Sequence, residues 1–326
     1  MNARLTLWVA LLAGCGSTPT PGSDGGAGSR LVVLLEAEAT AGEGIAAGEG
    51  PEDIQDGWSV AFDDYVVVIG GVDVRLAQDA SQAATAGERF AVDLVDVPEA
   101  GLPLWSIAGL TPGRWELGYA LGRAATDGAV ADASVSDAQL AEMVEGDWTY
   151  LIAGALSRAD GASCPPASRA TPGDAIPNGD TNAAGDPCYD NPVVAFRWGL
   201  TAPTALGPCE VDDTPGFAVT AGASTSVALT IHGDHLFFNG FPEGGEGGVR
   251  RLAQWLADGD LNVDGEVTRE ELEALVPADL VEFDPRFQLG GTPVTPLASL
   301  WDYVTAQVKT QGHFQGEGEC ALSAAP

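Results

Sequence analysis

The sequence predicts a mainly β protein, an antiparallel β-sandwich or barrel, with a helical segment and a C-terminal helix placed after the strands. Two patterns support this fold class. Short runs in which apolar and polar residues alternate recur along residues 30–245, which is typical of strands with one buried face. The runs are separated by turns rich in glycine and proline, of which the chain has 43 and 21. Many short strands joined by such turns indicate a sandwich or a barrel.

The strands are predicted from these apolar runs in chain order. The first lies at 30–36, and the next, at 58–62, is followed by a run of opposite parity at 65–69. The change of parity predicts a bulge or turn near residues 63–64. Gly70-Gly71 is interpreted as a hairpin turn into the next strand. Later strands are predicted at 90–94, 115–121, 148–156, 193–198, 217–219 and 226–231, with a Pro-Gly turn at 111–113.

Helices are predicted at four places. Ser136 and Gln139 have the spacing of a capping box that opens a short helix. Apolar residues recur at helical spacing at 249–256 and 272–276, on either side of an acidic loop, and again in a final helix at 295–312. The predicted parts are therefore a β-rich domain at 30–245, a helix-loop-helix segment at 246–280, and a C-terminal helix and tail at 281–326 that pack on the β domain.

The charge balance is strongly acidic. The chain has 326 residues with 47 acidic and 14 basic side chains, and its formal net charge is -33. Such a chain repels nucleic acid and anionic lipid head groups and attracts divalent cations. We therefore expect no nucleic-acid partner. The sequence does not name a protein or glycan partner.

Residues 1–14 have the pattern of an export signal, with a basic start and an apolar run at 5–12 that is too short to span a bilayer. The run ends in Leu-Ala-Gly-Cys15, which resembles a bacterial lipobox. This resemblance implies cleavage before Cys15 and attachment of lipid to its sulfur; an ordinary secretory signal is the alternative. Residues 16–29 are mostly Gly, Ser, Thr and Pro and predict a flexible tether. The expected location is the cell envelope outside the cytoplasm, at the outer membrane, with the membrane as partner through the lipid.

Four cysteines remain beyond Cys15, namely Cys164, Cys188, Cys209 and Cys320. An even number in an exported chain predicts two disulfides. Four cysteines allow three pairings, and the sequence alone does not choose among them. We favour Cys164–Cys188, which would close a long polar loop at 159–190, with Cys209–Cys320 tying the tail to the β domain.

The acidic loop at 260–271 is the most specific motif. Asp260, Asn262 and Asp264 alternate, so that three side-chain oxygens can turn towards one centre, and Gly265 permits the sharp bend that follows. The loop matches D-x-[DN]-x-[DN]-G-x5-E and resembles the calcium loop of an EF-hand. The resemblance implies Ca²⁺ as the ion and adds as ligands the Glu266 carbonyl, Thr268 through water and both carboxylate oxygens of Glu271.

This resemblance covers only residues 246–278, and Pro277 is expected to end its second helix. EF-hands usually occur in pairs, but the best second candidate, at 180–186, has Ala184 in place of a ligand. A single hand favours the weak affinity class of extracellular modules, about 10⁻⁴–10⁻³ M, and a structural role. A solvated acidic turn is the alternative interpretation.

Histidines supply a second candidate site. His232 and His235 follow a predicted strand, and Gly233 between them permits a kink that would bring both rings together. His313, the third histidine in the chain, comes after the final helix. Three imidazoles can bind Zn²⁺ or Cu²⁺ and leave a fourth position open for catalysis. Ordinary hydrogen-bonded histidines are the alternative, because two separate segments must converge to form the site.

The sequence therefore predicts a calcium-binding, lipid-anchored protein outside the cytoplasm, with a structural or interaction role. The alternative is a zinc- or copper-binding protein or metalloenzyme that uses the three histidines. The chain has no G-x-S-x-G, H-E-x-x-H or phosphate-loop motif. No other set of side chains indicates catalysis.

Overall fold

The computed structural model describes residues 29–241, 249–289 and 296–324. The predicted export signal, Cys15 and the tether up to residue 28 lie outside these ranges, as does Thr295, the predicted start of the last helix. The longest described helix has 10 residues, and no helix within the described ranges has the length and apolar character needed to cross a membrane.

The described chain is mainly β, which confirms the predicted fold class. Its strands are β1 (Ser29–Ala37), β2 (Ser59–Leu76), β3 (Asp79–Asp93), β4 (Leu102–Leu110), β5 (Gly113–Leu121), β6 (Val130–Ala131), β7 (Tyr150–Ser157), β8 (Ala162–Ser163), β9 (Tyr189–Asp190), β10 (Val193–Leu200), β11 (Thr204–Val211), β12 (Thr214–Pro215), β13 (Phe217–Val219), β14 (Ser224–Ile231), β15 (Glu266–Val267), β16 (Gly312–Phe314) and β17 (Glu319–Ala324). The α-helices are α1 (Ala39–Glu43), α2 (Asp137–Gly146), α3 (Gln254–Ala257), α4 (Arg269–Ala274), α5 (Pro277–Phe283) and α6 (Leu300–Val308), and 3₁₀ turns lie at Leu94–Asp96 and Gly233–Phe237.

Two sheets enclose the main hydrophobic core. The smaller sheet has the strand order β16-β14-β1-β4, and the larger one runs β12-β11-β5-β2-β7-β10-β15, with β13 on β5, β17 on β11, β3 on β2 and β6 on β3. Most described pairs are antiparallel, but β1 and β14 run parallel, with Val33 opposite Val227 and Ala37 opposite Ile231. The carboxyl ends of β1 and β14 therefore lie side by side, and this edge carries the candidate site.

The predicted hairpin turn at Gly70-Gly71 is wrong. β2 continues through both glycines and pairs with β3, β5 and β7. The glycines lie at a shift of register between Gly70 and Val72, where a Cβ on Gly70 would come within 2.4 Å of the Glu88 carbonyl oxygen. The glycines thus serve a bulge and a close approach of two strands. The bulge predicted near residues 63–64 is confirmed by a second register shift.

The two faces of β2 pack against different cores. Tyr65, Val67 and Ile69 belong to the main core, whereas Val66 and Val68 join a smaller cluster that includes a buried methionine of α2. Alternation along a strand explains this division. α2 begins with the predicted capping box.

The helical segment differs from the prediction in its details. α3 has four residues and is much shorter than the apolar run that predicts it. Pro277 ends the run that contains α4, as expected, but it also opens α5 as the first helical residue, where its missing N–H costs nothing. α6 begins at Leu300, later than predicted, because Ser299 caps it by accepting a hydrogen bond from the Asp302 N–H at 3.1 Å.

Two disulfides confirm the favoured pairing, Cys164–Cys188 and Cys209–Cys320. The second bond joins residues that lie opposite each other on β11 and β17. Disulfides form and persist in oxidising compartments, so these two bonds indicate a location outside the cytoplasm.

Candidate metal centre

The candidate site lies at the edge where β1, β14 and β16 meet. His232 directly follows β14, and its backbone N–H donates to the Gln311 carbonyl at 2.9 Å. β16 runs antiparallel to β14 with His313 opposite Thr230. Because alternate residues of a strand share a face, His232 and His313 become diagonal neighbours on one side of the sheet. Their rings stack with centroids 4.2 Å apart.

A 3₁₀ turn brings the third imidazole back to this pair. The turn opens at Gly233, where a Cβ would lie 2.9 Å from Cε1 of Tyr65. The His235 ring then lies with its centroid 5.6 Å from that of His232 and 5.2 Å from that of His313. One ring nitrogen of each histidine lies within 4.8 Å of one from each of the others. The structure thus brings together the two segments that carry the three histidines.

All three histidines are buried, with 2–4% of their surface exposed. Neither ring nitrogen of His313 has a hydrogen-bond partner among the described residues. Burial, followed by the neighbouring His232 and His235, lowers the pKa of His313 to about 2. The nearby Gly318 carbonyl opposes this shift but makes no hydrogen bond with the ring. His313 is therefore a neutral imidazole with a lone pair available to a metal ion. Leaving such a buried group without a partner costs about 1–3 kcal/mol.

Two carboxyl groups that the sequence did not single out adjoin the histidines. Glu38 follows β1, Asp234 lies in the 3₁₀ turn, and an oxygen of each lies within 4.8 Å of the other and of a His232 nitrogen. Burial, followed by the Asp234 charge, raises the pKa of Glu38 to about 8. Glu38 is therefore protonated at neutral pH. It donates to Asp234, and its Oε2 accepts from the Thr40 hydroxyl at 2.7 Å.

Asp234 is held as a carboxylate by a buried arginine. Burial works against its charge, but His235, Arg251 and the hydrogen bond from Glu38 together lower its pKa. Arg251 donates to Asp234 Oδ2 through Nε at 2.5 Å and also through Nη2, which in addition pairs with Glu52. Since Arg251 already supplies the positive charge, these carboxyl groups are poor candidates for binding a cation themselves. Glu38 and Asp234 are therefore interpreted as neighbours of His232 and not as metal ligands.

The loop at 260–271 forms the turn that its sequence predicts. Gly265 has a φ of +88°, and its N–H donates to Asp260 Oδ2 at 2.8 Å. The Asp264 N–H donates to Asn262 Oδ1 at 2.8 Å and to Asp260 Oδ1 at 3.2 Å. The Glu266 N–H in turn donates to Asp264 Oδ1 at 3.0 Å. Asp260 is fully buried, and its burial, followed by repulsion from a neighbouring carboxylate, raises its pKa.

The closing residue of the loop also caps a helix. Glu271 caps α4: Oε2 accepts from the Thr268 N–H and hydroxyl, each at 2.9 Å, and Oε1 accepts from the Leu261 and Asn262 N–H groups. Two sets of three acidic or imidazole ligand atoms lie within 4.8 Å of one another in the described ranges, and neither includes this loop. The loop residues therefore share one turn, without three acidic oxygens within 4.8 Å of one another in the described ranges.

The loop packs against the edge of the larger sheet. β15, which is part of the loop, pairs in parallel with β10, with Glu266 opposite Ala195 and Val267 opposite Phe196. The Asn191 amide donates to Asp260 Oδ2 at 2.9 Å. The weaker candidate loop at 180–186 is closed by its own hydrogen bonds instead.

The predicted site residues thus have three outcomes. The histidines converge, the loop residues lie in one turn, and Cys15 lies outside the described residues. Glu38 and Asp234 are additions that only the fold reveals. No family model matches the chain, and comparison with curated proteins and with solved structures gives no match.

Proposed function

We propose that this chain is an extracytoplasmic protein that binds one transition-metal ion through His232, His235 and His313. The observation that supports it best is the environment of His313, whose buried neutral ring has no hydrogen-bond partner among the described residues and lies beside two further imidazoles. A buried polar group is normally hydrogen-bonded. A coordinated ion would offset the cost of burying this one.

The ligand type favours Zn²⁺ or Cu²⁺. Imidazole nitrogen suits these borderline ions, whereas Ca²⁺ and Mg²⁺ require oxygen ligands. Three protein ligands leave a fourth position for water or another small ligand. The rings are 2–4% exposed, so a large substrate would not reach the ion, and a bound-ion role is favoured over turnover of a macromolecule.

Replacing single histidines provides the test. We expect the purified wild-type protein to hold zinc or copper at one ion per chain, and His232→Ala and His313→Ala each to weaken binding of that same ion more than about 100-fold, because loss of a supporting partner alone costs 10–100-fold. Elemental analysis and titration with Zn²⁺ or Cu²⁺ measure this. Phe314→Leu, a neighbouring ring on the opposite face of β16, is the matched control and should keep the ion. Absence of stoichiometric metal in the wild type would refute the proposal.

A second candidate function is calcium binding by the loop at 260–271, in a structural role. Buried Asp260 lies close enough to Glu271 for repulsion between them to raise its pKa. A cation would convert this repulsion into coordination, and folding of the segment would then be linked to ion binding. Closure requires Glu271 to exchange its contacts with the Leu261 and Asn262 N–H groups for the ion.

Calcium should therefore stabilise the wild type and not a variant without the closing carboxylate. At a calcium concentration 100 times the Kd, the expected gain in the free energy of unfolding is about 2.7 kcal/mol. We expect Glu271→Gln to lose most of this response and Glu270→Gln, one residue earlier, to retain it. The readout is the calcium-induced shift of the melting temperature within each variant, since loss of the cap lowers the baseline of Glu271→Gln. Equal shifts in Glu271→Gln and wild type would contradict calcium binding at this loop.

The two disulfides support a location outside the cytoplasm. Attachment to the outer membrane through a lipid on Cys15 stays a prediction from the lipobox resemblance. The formal net charge of -33 argues against nucleic acid as a partner, because the phosphate backbone would repel the chain.

A further inference from the structure

One of the three imidazoles has a defined hydrogen-bond chain behind it. Nδ1 of His235 lies 2.8 Å from the hydroxyl oxygen of Thr310, and that hydroxyl donates to the Gln307 carbonyl at 2.8 Å. A hydroxyl has a single proton to donate. Because Thr310 gives its proton to the carbonyl, Nδ1 must be the donor in the contact with His235. In the neutral ring, which is the form that binds a metal ion, this is the Nδ1–H tautomer with the lone pair on Nε2.

The position of Thr310 is itself fixed by the end of α6. Its backbone N–H donates to the same Gln307 carbonyl at 3.0 Å, and the Gln307 amide donates to the Gly240 carbonyl at 3.0 Å. The next residue, Gln311, receives the backbone hydrogen bond of His232. The segment from the end of α6 to β16 thus supplies one ligand, His313, and supports the other two.

The other contacts of the His235 ring also limit its rotation. The ring stacks on Phe238, with centroids 4.3 Å apart and an angle of 29° between the planes. Stacking restrains the plane of the ring, while the contact with Thr310 selects which nitrogen is protonated. A metal-bound histidine commonly donates its other ring N–H to an oxygen, which fixes the tautomer and the orientation of the ligand nitrogen.

We propose that Thr310 is a positioning residue of the metal centre, which holds His235 as the Nδ1–H tautomer so that Nε2 is presented to the ion. This inference rests on the proposed metal-binding function. Thr310 does not bind the ion itself, but its hydroxyl is expected to contribute to the affinity of the site for the metal. Supporting partners of this kind typically account for 10–100-fold in metal affinity.

The test compares Thr310→Val, which keeps the shape and removes the hydroxyl, with Thr310→Ser, which keeps the hydroxyl. With Zn²⁺ alone as the probe, we expect Thr310→Val to bind 10–100-fold more weakly than wild type and Thr310→Ser to bind nearly as tightly as wild type. Nitrogen-15 NMR of the His235 ring in the metal-free protein should show the Nδ1–H form in wild type and Thr310→Ser, and a mixture in Thr310→Val. Thr310→Ala is a second hydroxyl-free variant in case the valine variant does not fold.

The outcomes separate the two proposals. If the wild type binds zinc and both hydroxyl-free variants bind equally tightly with the wild-type tautomer, the role of Thr310 is overturned and the metal site stands. If the wild type does not bind zinc or copper, the metal site is overturned, and the positioning role falls with it. Weaker binding together with a changed tautomer, restored by serine, supports both.

Discussion

Replacing Cys209 and Cys320 with alanine is expected to lower the free energy of unfolding by about 4.8 kcal/mol, and replacing Cys164 and Cys188 by about 3.4 kcal/mol. The difference follows from the separations along the chain, which are 111 and 24 residues. A cross-link that closes a longer loop removes more conformational freedom from the unfolded chain. Denaturant titration of the two double variants measures both losses.

The two bonds should also have different effects on the two candidate ion sites. Cys320 lies in β17, directly after the strand that carries His313, so its release should loosen that strand and weaken zinc binding. The Cys164 N–H instead donates to Asp258 Oδ1 at 2.7 Å, beside the acidic loop. Loss of the Cys164–Cys188 bond should therefore reduce the calcium response and leave zinc binding unchanged. Each double variant is the control for the other, and equal effects of both on zinc binding would contradict this assignment.

The local sequence predicts much of this fold because the alternation of apolar and polar residues along a strand shows which of them face the core. The bulge near residues 63–64 is predicted because the parity changes there, and a register shift confirms it. The prediction of a hairpin turn at Gly70-Gly71 is wrong because two adjacent glycines suit a turn and a bulge equally well. Only the pairing of β2 with three other strands shows which of these is formed.

The candidate site is predictable in part for a similar reason. His232 and His235 lie three residues apart, so their proximity is a local property of the chain. The position of His313 depends on the register of β16 against β14. Glu38 reaches the site because β1 pairs in parallel with β14, far away in sequence. One glutamate among 47 acidic residues gives no signal of that pairing.

Glu38→Gln is expected to make the metal-free protein more stable at pH 9 relative to wild type and to change it little near pH 5. The folded-state pKa of Glu38 is about 8 against an ordinary value of 4.5, so the folded protein binds this proton more tightly than the unfolded chain. The free energy of unfolding therefore falls as the pH rises between these two values. Glutamine retains a donor for Asp234 and an acceptor for Thr40, but it has no proton to lose.

Two other groups shape the pH profile. His313 has a pKa of about 2 in the fold against 6.5, so its burial lowers stability as the pH falls below 6.5 and opposes the effect of Glu38 between 4.5 and 6.5. Burial also raises the pKa of Asp258 to about 8. Asp258 therefore makes the free energy of unfolding fall with rising pH, as Glu38 does. The effect of Glu38 is therefore clearest between pH 6.5 and 9, as a shallower decline in Glu38→Gln than in wild type.

The expected difference in the free energy of unfolding at pH 9 is about 1–2 kcal/mol. A fully buried group would contribute about 1.4 kcal/mol per pH unit, but Glu38 is only half-buried, and solvent screening reduces the effect. Urea titrations from pH 5 to 9 with a chelator present measure it, because bound metal would itself alter the profile. Glu36→Gln, two residues earlier and within β1, is the control, and its stability should decline with pH as that of the wild type does. A Glu38→Gln profile parallel to that of wild type above pH 6.5 would show that Glu38 already carries a charge at neutral pH, and that His235 and Arg251 keep Asp234 charged without its help.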